Sequence, residues 1–239
     1  MRCRIAYYSV IKMSARKEVQ SHGFTWQEDI LTKVYGLSPA ELNSIPYTSE
    51  MDLPRTMNPL DGVNVSIKTS GSPNSVCMGD CGRVYDAVSS AEPFHVIVVF
   101  YKQNDNTNTK HIQEVVEIDL TNSRHLLFGT VTREEIQRLS DMIRLIPQKR
   151  SPTKEEHTKI YAARNLLKQT GGLIHLDIKC NSQQSRLQCS FGRFKDFITS
   201  NTCRVKFRSS ANIFRGHALL DHVVSGRRIF NCKKRVSDS

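Results

Sequence analysis

The sequence predicts an α/β fold with a mixed β-sheet. Residues 24–35 carry an apolar stripe with helical spacing. Residues Val63–Thr69 alternate apolar and polar side chains, as a strand does. Residues Phe94–Tyr101 form a nearly continuous apolar run, which is typical of a strand buried on both faces. Helical and strand patterns therefore follow one another along the first half of the chain.

The first two helices are predicted from their apolar spacing and their ends. The helix over residues 24–35 can end at Gly36, which tolerates the backbone conformation common after a helix. A short second helix is predicted to begin at Ser38 as the N-cap, with Pro39 at its first position.

A β-hairpin is predicted next. Residues Tyr47–Leu53 can form its first strand and Val63–Thr69 its return strand. Pro54 and the segment Asn58–Gly62 between them have turn chemistry. A loop over Ser70–Asn74 is expected to follow.

The rest of the first half is predicted to add helices and strands around the buried strand. A short helix is expected within Val76–Val88. A polar hairpin loop over Asn104–Thr109 leads to a strand over His111–Leu120. Thr132 and Glu135 can form a capping box that opens a helix.

A polar, basic, proline-containing segment, Pro147–Thr153, is the predicted boundary between two regions. The sequence then predicts a helix over Glu155–Gln169 and two strands, Leu173–Lys179 and Ser185–Phe191. The predicted organisation has an N-terminal extension over residues 1–19, a core over 20–150 and a basic region, packed on that core, over 151–239.

Composition excludes several classes of protein. The chain has 239 residues, of which 38% are hydrophobic and 24% charged, which suits a globular protein and not a disordered one. The sequence shows no signal peptide and no apolar run of about 18 residues, so a cytoplasmic location without membrane contact is expected. The seven cysteines are scattered and no histidine pair completes a zinc motif, so reduced thiols are expected.

The positive charge lies entirely in the second half. Residues 1–120 hold 11 Lys and Arg against 14 Asp and Glu, a net charge of −3. Residues 121–239 hold 23 against 9, a net charge of +14. This distribution favours a polyanionic partner, most often nucleic acid.

The Val63–Thr69 strand carries polar side chains that suggest metal-dependent chemistry. Asn64, Ser66 and Lys68 would share one face of it, and two acids upstream, Asp52 and Asp61, could reach that face. A carboxylate can hold a divalent cation beside a lysine that orients the attacking water or stabilises charge on a phosphate. This combination is what a metal-dependent nuclease needs.

The predicted αβββαβ order resembles the core of the PD-(D/E)XK nuclease superfamily. Within that superfamily, Ser66-Ile67-Lys68-Thr69-Ser70-Gly71 followed by Val76-Cys77-Met78-Gly79-Asp80 looks like a type II restriction endonuclease. The resemblance covers about residues 20–120. It implies Mg²⁺ as cofactor, double-stranded DNA as substrate, a short palindromic target, a homodimer and a cognate DNA methyltransferase as a genetic partner.

The sequence departs from this family at Ser66, where the pattern has Asp or Glu two residues before the lysine. A second carboxylate must then come from elsewhere or be replaced by a hydroxyl or water. Glu28 on the first helix is the leading substitute, and Asp80 is a second candidate. Lys68 is the catalytic lysine that the resemblance implies.

Asp52 and Asp61 remain alternatives for the principal metal ligand. Asp52 lies 14 residues before Ser66, and a hairpin can bring the two together. Asp61 is closer in sequence, but it stands in a turn where aspartate is common for conformational reasons.

A second Asp-x-Lys pattern, Asp177 and Lys179, is an alternative location for the site. Its partner acid would be Glu155 or Glu156, both on a predicted helix. Histidines such as His95, beside the buried strand, are expected to be structural.

Residues expected to contact DNA come from the loop after Lys68, from Arg83 in the segment that follows it, and from the basic second half. Arg and Lys suit guanine and phosphate, and Asn and Gln suit adenine. The expected contact residues are Ser70, Ser72, Asn74, Arg83, Lys179, Gln183, Arg186, Gln188, Arg193, Lys195, Arg204 and Arg208. Two rival functions remain: a non-catalytic nucleic-acid-binding protein, which Ser66 favours, and a nonspecific repair or recombination nuclease.

Overall fold

The computed structural model describes residues 21–45, 51–104, 106–107, 109–147, 150–167, 172–181 and 184–224. Within these ranges the chain is a mixed α/β structure with a curled mixed sheet and helices, as its α/β class predicted. The predicted N-terminal extension, residues 1–19, lies outside the described residues. None of the helices in the described ranges is long and apolar enough to cross a bilayer.

The elements are numbered in chain order. The helices are α1 (Ser21–Lys33), α2 (Pro39–Ser44), α3 (Cys81–Ser89), α4 (Arg124–Phe128), α5 (Arg133–Arg144), α6 (Lys154–Leu167) and α7 (Phe194–Ser200). The strands are β1 (Asn64–Ser70), β2 (Ser75–Asp80), β3 (Phe94–Asn104), β4 (Thr109–Asp119), β5 (Ile174–Asn181), β6 (Gln184–Gly192), β7 (Val205–Ser209), β8 (Ile213–Phe214), β9 (His217–Ala218) and β10 (His222–Val224).

The main sheet has the order β1-β3-β4, and both β7 and β10 pair with β4. Strand β1 runs parallel to β3, and the other pairs are antiparallel. Strand β3 is buried from Phe94 to Phe100, in agreement with its apolar sequence. A parallel pair buried in this way needs cover on both faces.

That cover consists of two apolar cores. The first core lies on the face of β3 that carries Val96 and Val98, and it includes side chains from α3, α5, β6 and α7. The second core lies on the face with Ile97 and Val99, and it includes side chains from α1. Alternate residues of β3 therefore enter different cores, as the period of two along a strand requires.

A second sheet, β2-β6-β5, is antiparallel throughout. Strand β2 is an addition to the predicted elements, since the sequence predicts only a short helix within Val76–Val88. Val76 and Met78 are buried while Cys77 is exposed, so the segment has strand periodicity. The helix begins only at Cys81, after the Asp80 carboxylate accepts the Arg83 backbone N–H as an N-cap.

The first strand of the predicted hairpin is reduced, in the described part of the chain, to a single bridge. Leu53 pairs with Val65, with N···O distances of 3.0 and 2.9 Å in the two directions. Residues 46–50 of that predicted strand lie outside the described residues. The bridge nevertheless fixes the residues around Leu53 alongside β1.

Strands from both sides of the predicted boundary at Pro147–Thr153 share the two sheets. Strand β6 pairs with β2, and β7 and β10 pair with β4. Ile160 of α6 is buried in the first core together with residues of β3. The acidic and basic halves of the sequence are therefore packed together.

Candidate active site

The polar row predicted on β1 is present. Val65 and Ile67 enter the second core, so Asn64, Ser66 and Lys68 lie on the opposite face of the strand. Asn64 and Ser66 are buried, and Lys68 is partly exposed at the end of the row. The row is therefore shielded at one end and open to solvent at the other.

Asp52 meets this row. Its Oδ2 accepts hydrogen bonds from Ser66 Oγ (3.0 Å) and from the Ile67 backbone N–H (2.6 Å), and it lies 3.5 Å from Lys68 Nζ. The bridge between Leu53 and Val65 explains the position, because Leu53 enters the second core and its neighbour Asp52 points to the other face. Asp52 is therefore in direct contact with both Ser66 and Lys68.

This carboxylate and the lysine are half-buried, with 24% and 22% of their side chains exposed. All the described contacts of Asp52 use Oδ2, and none of the hydrogen bonds described for the chain involves Oδ1. A fixed carboxylate with one unengaged oxygen beside an ammonium group can bind a hard divalent cation and a phosphate oxygen at the same place.

Asp61 is held on the other side of the sheet. Its Oδ1 accepts from Asn58 Nδ2 (2.7 Å) and its Oδ2 from Arg215 Nη2 (2.9 Å). The Arg215 guanidinium lies over the rings of Tyr35 and Phe214, which belong to the second core. Asp61 therefore does not join the Asp52–Lys68 pair.

Arg215 links Asp61 to a fully buried carboxylate, Glu117. Its Nη2 lies 2.6 Å from Glu117 Oε1 and its Nε 2.9 Å from Oε2. Although burial opposes the charged form, these hydrogen bonds raise the pKa of Arg215 above its usual value. His95 Nδ1 lies 2.8 Å from Glu117 Oε1, so the histidine belongs to the same network.

Asp61, His95 and Glu117 are close enough to suggest a metal cluster. The Arg215 guanidinium already contacts two of these three residues and supplies the positive charge there. The network is accordingly a structural ion cluster: it connects Arg215, in the segment after β8, to Glu117 on β4.

The two proposed substitutes for the missing acid lie elsewhere. Glu28 is exposed on α1, a helix whose Trp26 and Ile30 belong to the second core, on the face opposite Asp52. Asp80 is the N-cap of α3. Among the described hydrogen bonds and ion pairs, none joins either acid to Asp52 or Lys68.

A carboxylate that sequence reasoning missed, Glu92, joins the row at its other end. Its Oε2 accepts from Asn64 Nδ2 (3.1 Å), and its Oε1 pairs with Arg55 Nη1 (3.2 Å). Asn64 and Ser66 are about 7 Å apart along the strand. Glu92 precedes β3 in an irregular segment, so no periodicity could have indicated this contact.

The alternative Asp-x-Lys pattern lies on β5. Asp177 Oδ2 accepts from Ser190 Oγ on β6, and Lys179 pairs in register with Arg186. Glu156 is bound to Arg150, which lowers the pKa of the glutamate to about 2. Of the contacts that the structure describes, none connects Glu155 or Glu156 to Asp177, so this alternative site is not assembled.

The loop after Lys68 lies against the basic region. Ser70 Oγ lies 2.8 Å from the backbone oxygens of both Ser72 and Ser75, and the hydrogen bond that its hydroxyl donates there closes the turn. The Asn74 oxygen accepts from the Phe194 N–H (3.4 Å), and Ser75 lies opposite Gly192. Asn74 therefore lies against the segment that contains Arg193 and Lys195, and its backbone N–H donates to Ser72 Oγ (3.4 Å) in the same turn; all four residues are exposed. We call these four residues the loop surface.

The other predicted DNA contacts that the structure describes divide into three groups. Gln188 is buried, and Arg204 donates to the oxygens of Asp119, Thr121 and Ser123 inside the fold. Arg208 pairs with Glu114. Exposed or partly exposed residues away from the loop surface are Arg83, Lys179 and Arg186, and Gln183 lies outside the described residues.

Comparisons with known proteins identify no relative. No protein-family model matches the chain, and no curated protein and no solved structure matches it.

Proposed function

We propose that this protein is a Mg²⁺-dependent endonuclease that hydrolyses phosphodiester bonds of double-stranded DNA. The observation that supports the proposal best is the contact of Asp52 with both Ser66 and Lys68 on one strand. We assign to Asp52, Ser66 and Lys68 the roles that the PD-(D/E)XK pattern gives to its metal-binding acid, its second acid position and its lysine. In this proposal the αβββαβ nuclease core corresponds to residues 20–120.

The oxygen donors at Asp52 suit Mg²⁺, which prefers carboxylate and water ligands in octahedral geometry. Asp52 Oδ1 would hold the ion, while Ser66 Oγ and the Ile67 N–H fix the carboxylate through Oδ2. The ion would lower the pKa of a bound water and stabilise charge on the leaving 3′-oxygen. Lys68 would orient the water for in-line attack on phosphorus.

DNA would cross the surface beside Lys68 and the turn that follows β1. The loop surface begins at Ser72, four residues beyond Lys68, because the buried Ser70 closes the turn that presents it. Arg193 and Lys195 there can bind phosphates, and Ser72 and Asn74 can donate to backbone or base oxygens. The net charge of +14 over residues 121–239 would add long-range attraction.

The finer proposal is a type II restriction endonuclease that cuts at a short palindromic site. A palindromic target would require a homodimer, because the two-fold symmetry of the site mirrors that of the protein. A cognate DNA methyltransferase would then protect the host DNA.

A second candidate function is binding of nucleic acid without cleavage. It is favoured by a specific observation: among the described contacts, Asp52 is the one carboxylate that meets Lys68. Two-metal catalysis would need further acidic ligands. Under this alternative, Asp52 and Lys68 form an ordinary ion pair at a strand end.

Incubation of the purified protein with unmethylated DNA, with Mg²⁺ and with EDTA in parallel, separates these functions. Discrete fragments that need Mg²⁺ support a restriction endonuclease, and sequencing their ends gives the target. A Mg²⁺-dependent smear would indicate a nonspecific nuclease. Intact DNA that is retarded on a native gel would leave the binding protein.

A further inference from the structure

Two histidines and an aspartate converge where β10 pairs with β4. His222 lies directly opposite His111 in the antiparallel register, and their rings stack with centroids 5.4 Å apart. Asp221 Oδ2 lies 3.6 Å from His111 Nδ1 and 3.9 Å from His222 Nδ1. One ligand atom from each of the three residues lies within 4.8 Å of the others.

Thr109 orients the first histidine. His111 Nε2 lies 3.0 Å from Thr109 Oγ1, and a hydrogen bond donated by Nε2 leaves the lone pair on Nδ1. That lone pair faces the Asp221 carboxylate. Metal-binding histidines characteristically use their second ring nitrogen in such a bond, which fixes the tautomer and the ring.

Asp221 is also held in place by its neighbours. Its backbone oxygen accepts from the Ile112 N–H (3.0 Å). Leu220 before it donates its N–H to Asp29 Oδ2 (2.7 Å) and accepts from Trp26 Nε1 (2.9 Å). Helix α1 therefore holds the backbone of Leu220, immediately before the cluster. Binding of a metal would need little further ordering of Asp221.

We propose that His111, Asp221 and His222 form a binding site for a divalent transition metal of the zinc type. Imidazole and carboxylate ligands at bond lengths of about 2.0–2.2 Å place tetrahedral ligand atoms roughly 3.4 Å apart. The two separations from Asp221 Oδ2, 3.6 and 3.9 Å, exceed this value by a few tenths of an ångström, and the two imidazole ligand nitrogens lie within 4.8 Å of each other. A water completes the coordination.

The site differs in place and in chemistry from the proposed Mg²⁺ site. It lies on β4 and β10, and β3 separates β4 from β1. Two imidazoles favour zinc, nickel or copper, whereas Mg²⁺ prefers oxygen ligands. Bound metal would join β10 to β4 at the exposed edge of the pairing, since all three side chains are accessible to solvent.

Isothermal titration of the metal-free full chain with Zn²⁺, after alkylation of its thiols, tests this site. We expect His111→Asn/His222→Gln to weaken one Zn²⁺ binding event by tenfold or more, and Thr109→Val to weaken it by roughly 10-fold. His217→Gln is the matched control, because His217 is an exposed histidine on β9 outside the cluster. It should bind Zn²⁺ as the wild type does.

Zn²⁺ should also raise the thermal midpoint of the wild type and of His217→Gln, but not that of the double variant. Circular dichroism would establish that the variants are folded. If the double variant is unfolded, the single variant His222→Gln replaces it in the titration, because the His222 side chain is 57% exposed. Equal Zn²⁺ affinity in the wild type and in the cluster variants would overturn the proposal, as would a wild type that binds none. Either result is independent of DNA cleavage.

Discussion

Replacing Arg215 with leucine is expected to destabilise the fold strongly. The change leaves Glu117, which is fully buried, without its guanidinium partner, and it also removes the ion pair with Asp61. Removing one partner of a buried pair costs about 3–5 kcal/mol because the other charge stays buried. The Arg215 side chain is 24% exposed, so the lower end of this range, about 3 kcal/mol, applies.

For a chain of this size, about 3 kcal/mol corresponds to a loss of roughly 6–12 °C in thermal midpoint. The pKa of Arg215 is raised in the folded state, so its contribution is fully present below the pKa of the unfolded state and is lost only as the pH rises through the higher folded pKa. Urea unfolding at neutral pH therefore measures the whole effect.

Arg208→Leu is the matched control, because Arg208 also pairs with a glutamate of β4 but its side chain is 50% exposed. Exposed ion pairs contribute about 0–1 kcal/mol. If Arg215→Leu costs no more than Arg208→Leu, the ion cluster does not stabilise the fold, and Asp61 would again be a candidate metal ligand.

Three further results are expected. Asp61→Asn should lower the urea midpoint but leave the rate of DNA cleavage within about twofold, because Asp61 lies on the face opposite Asp52; a loss of cleavage at full stability would contradict this. Arg193→Ala and Lys195→Ala should each weaken DNA binding and reduce the slope of log K against log salt concentration by about 1 in fluorescence anisotropy, and an unchanged slope would remove them from the interface. Asp52→Asn should abolish Mg²⁺-dependent cleavage while DNA binding persists, and cleavage at the wild-type rate would exclude Asp52 as the metal ligand.

Local sequence patterns correctly predicted the helices and strands whose sequence carries a single strong signal. The apolar run over Phe94–Tyr101 became β3, and the capping box at Thr132 and Glu135 opens α5, as expected. Strand β2 was missed because six residues with strand spacing directly precede α3, and the two patterns overlap. Local sequence gives no boundary there except the N-cap at Asp80.

The candidate site was predictable where it depends on neighbours along β1. Ser66 and Lys68 share a face because of the two-residue period, and the Leu53 bridge brings Asp52 to them. The positions of Asp61 and Glu28 depend on which core each element packs against, and a single sequence does not encode that choice locally. Asp61 is paired with Arg215, 154 residues away, which no spacing rule could indicate.

The histidine cluster shows the same limit. His111 and His222 are far apart in sequence and match no zinc motif, so the scattered cysteines and histidines predicted none. They meet only because β10 returns to pair with β4. Long-range pairing of short strands is the information that the sequence patterns lack.

The most direct test of the proposed nuclease is a comparison of wild type, Lys68→Ala and Lys159→Ala on unmethylated DNA with Mg²⁺. Lys159, an exposed lysine on α6, is the matched control for loss of one positive charge. We expect cleavage by the wild type and by Lys159→Ala, and none by Lys68→Ala, although all three bind DNA with nearly equal affinity. Cleavage by Lys68→Ala at the wild-type rate would place the chemistry elsewhere, and intact DNA with all three proteins would leave a protein that binds DNA without cutting it.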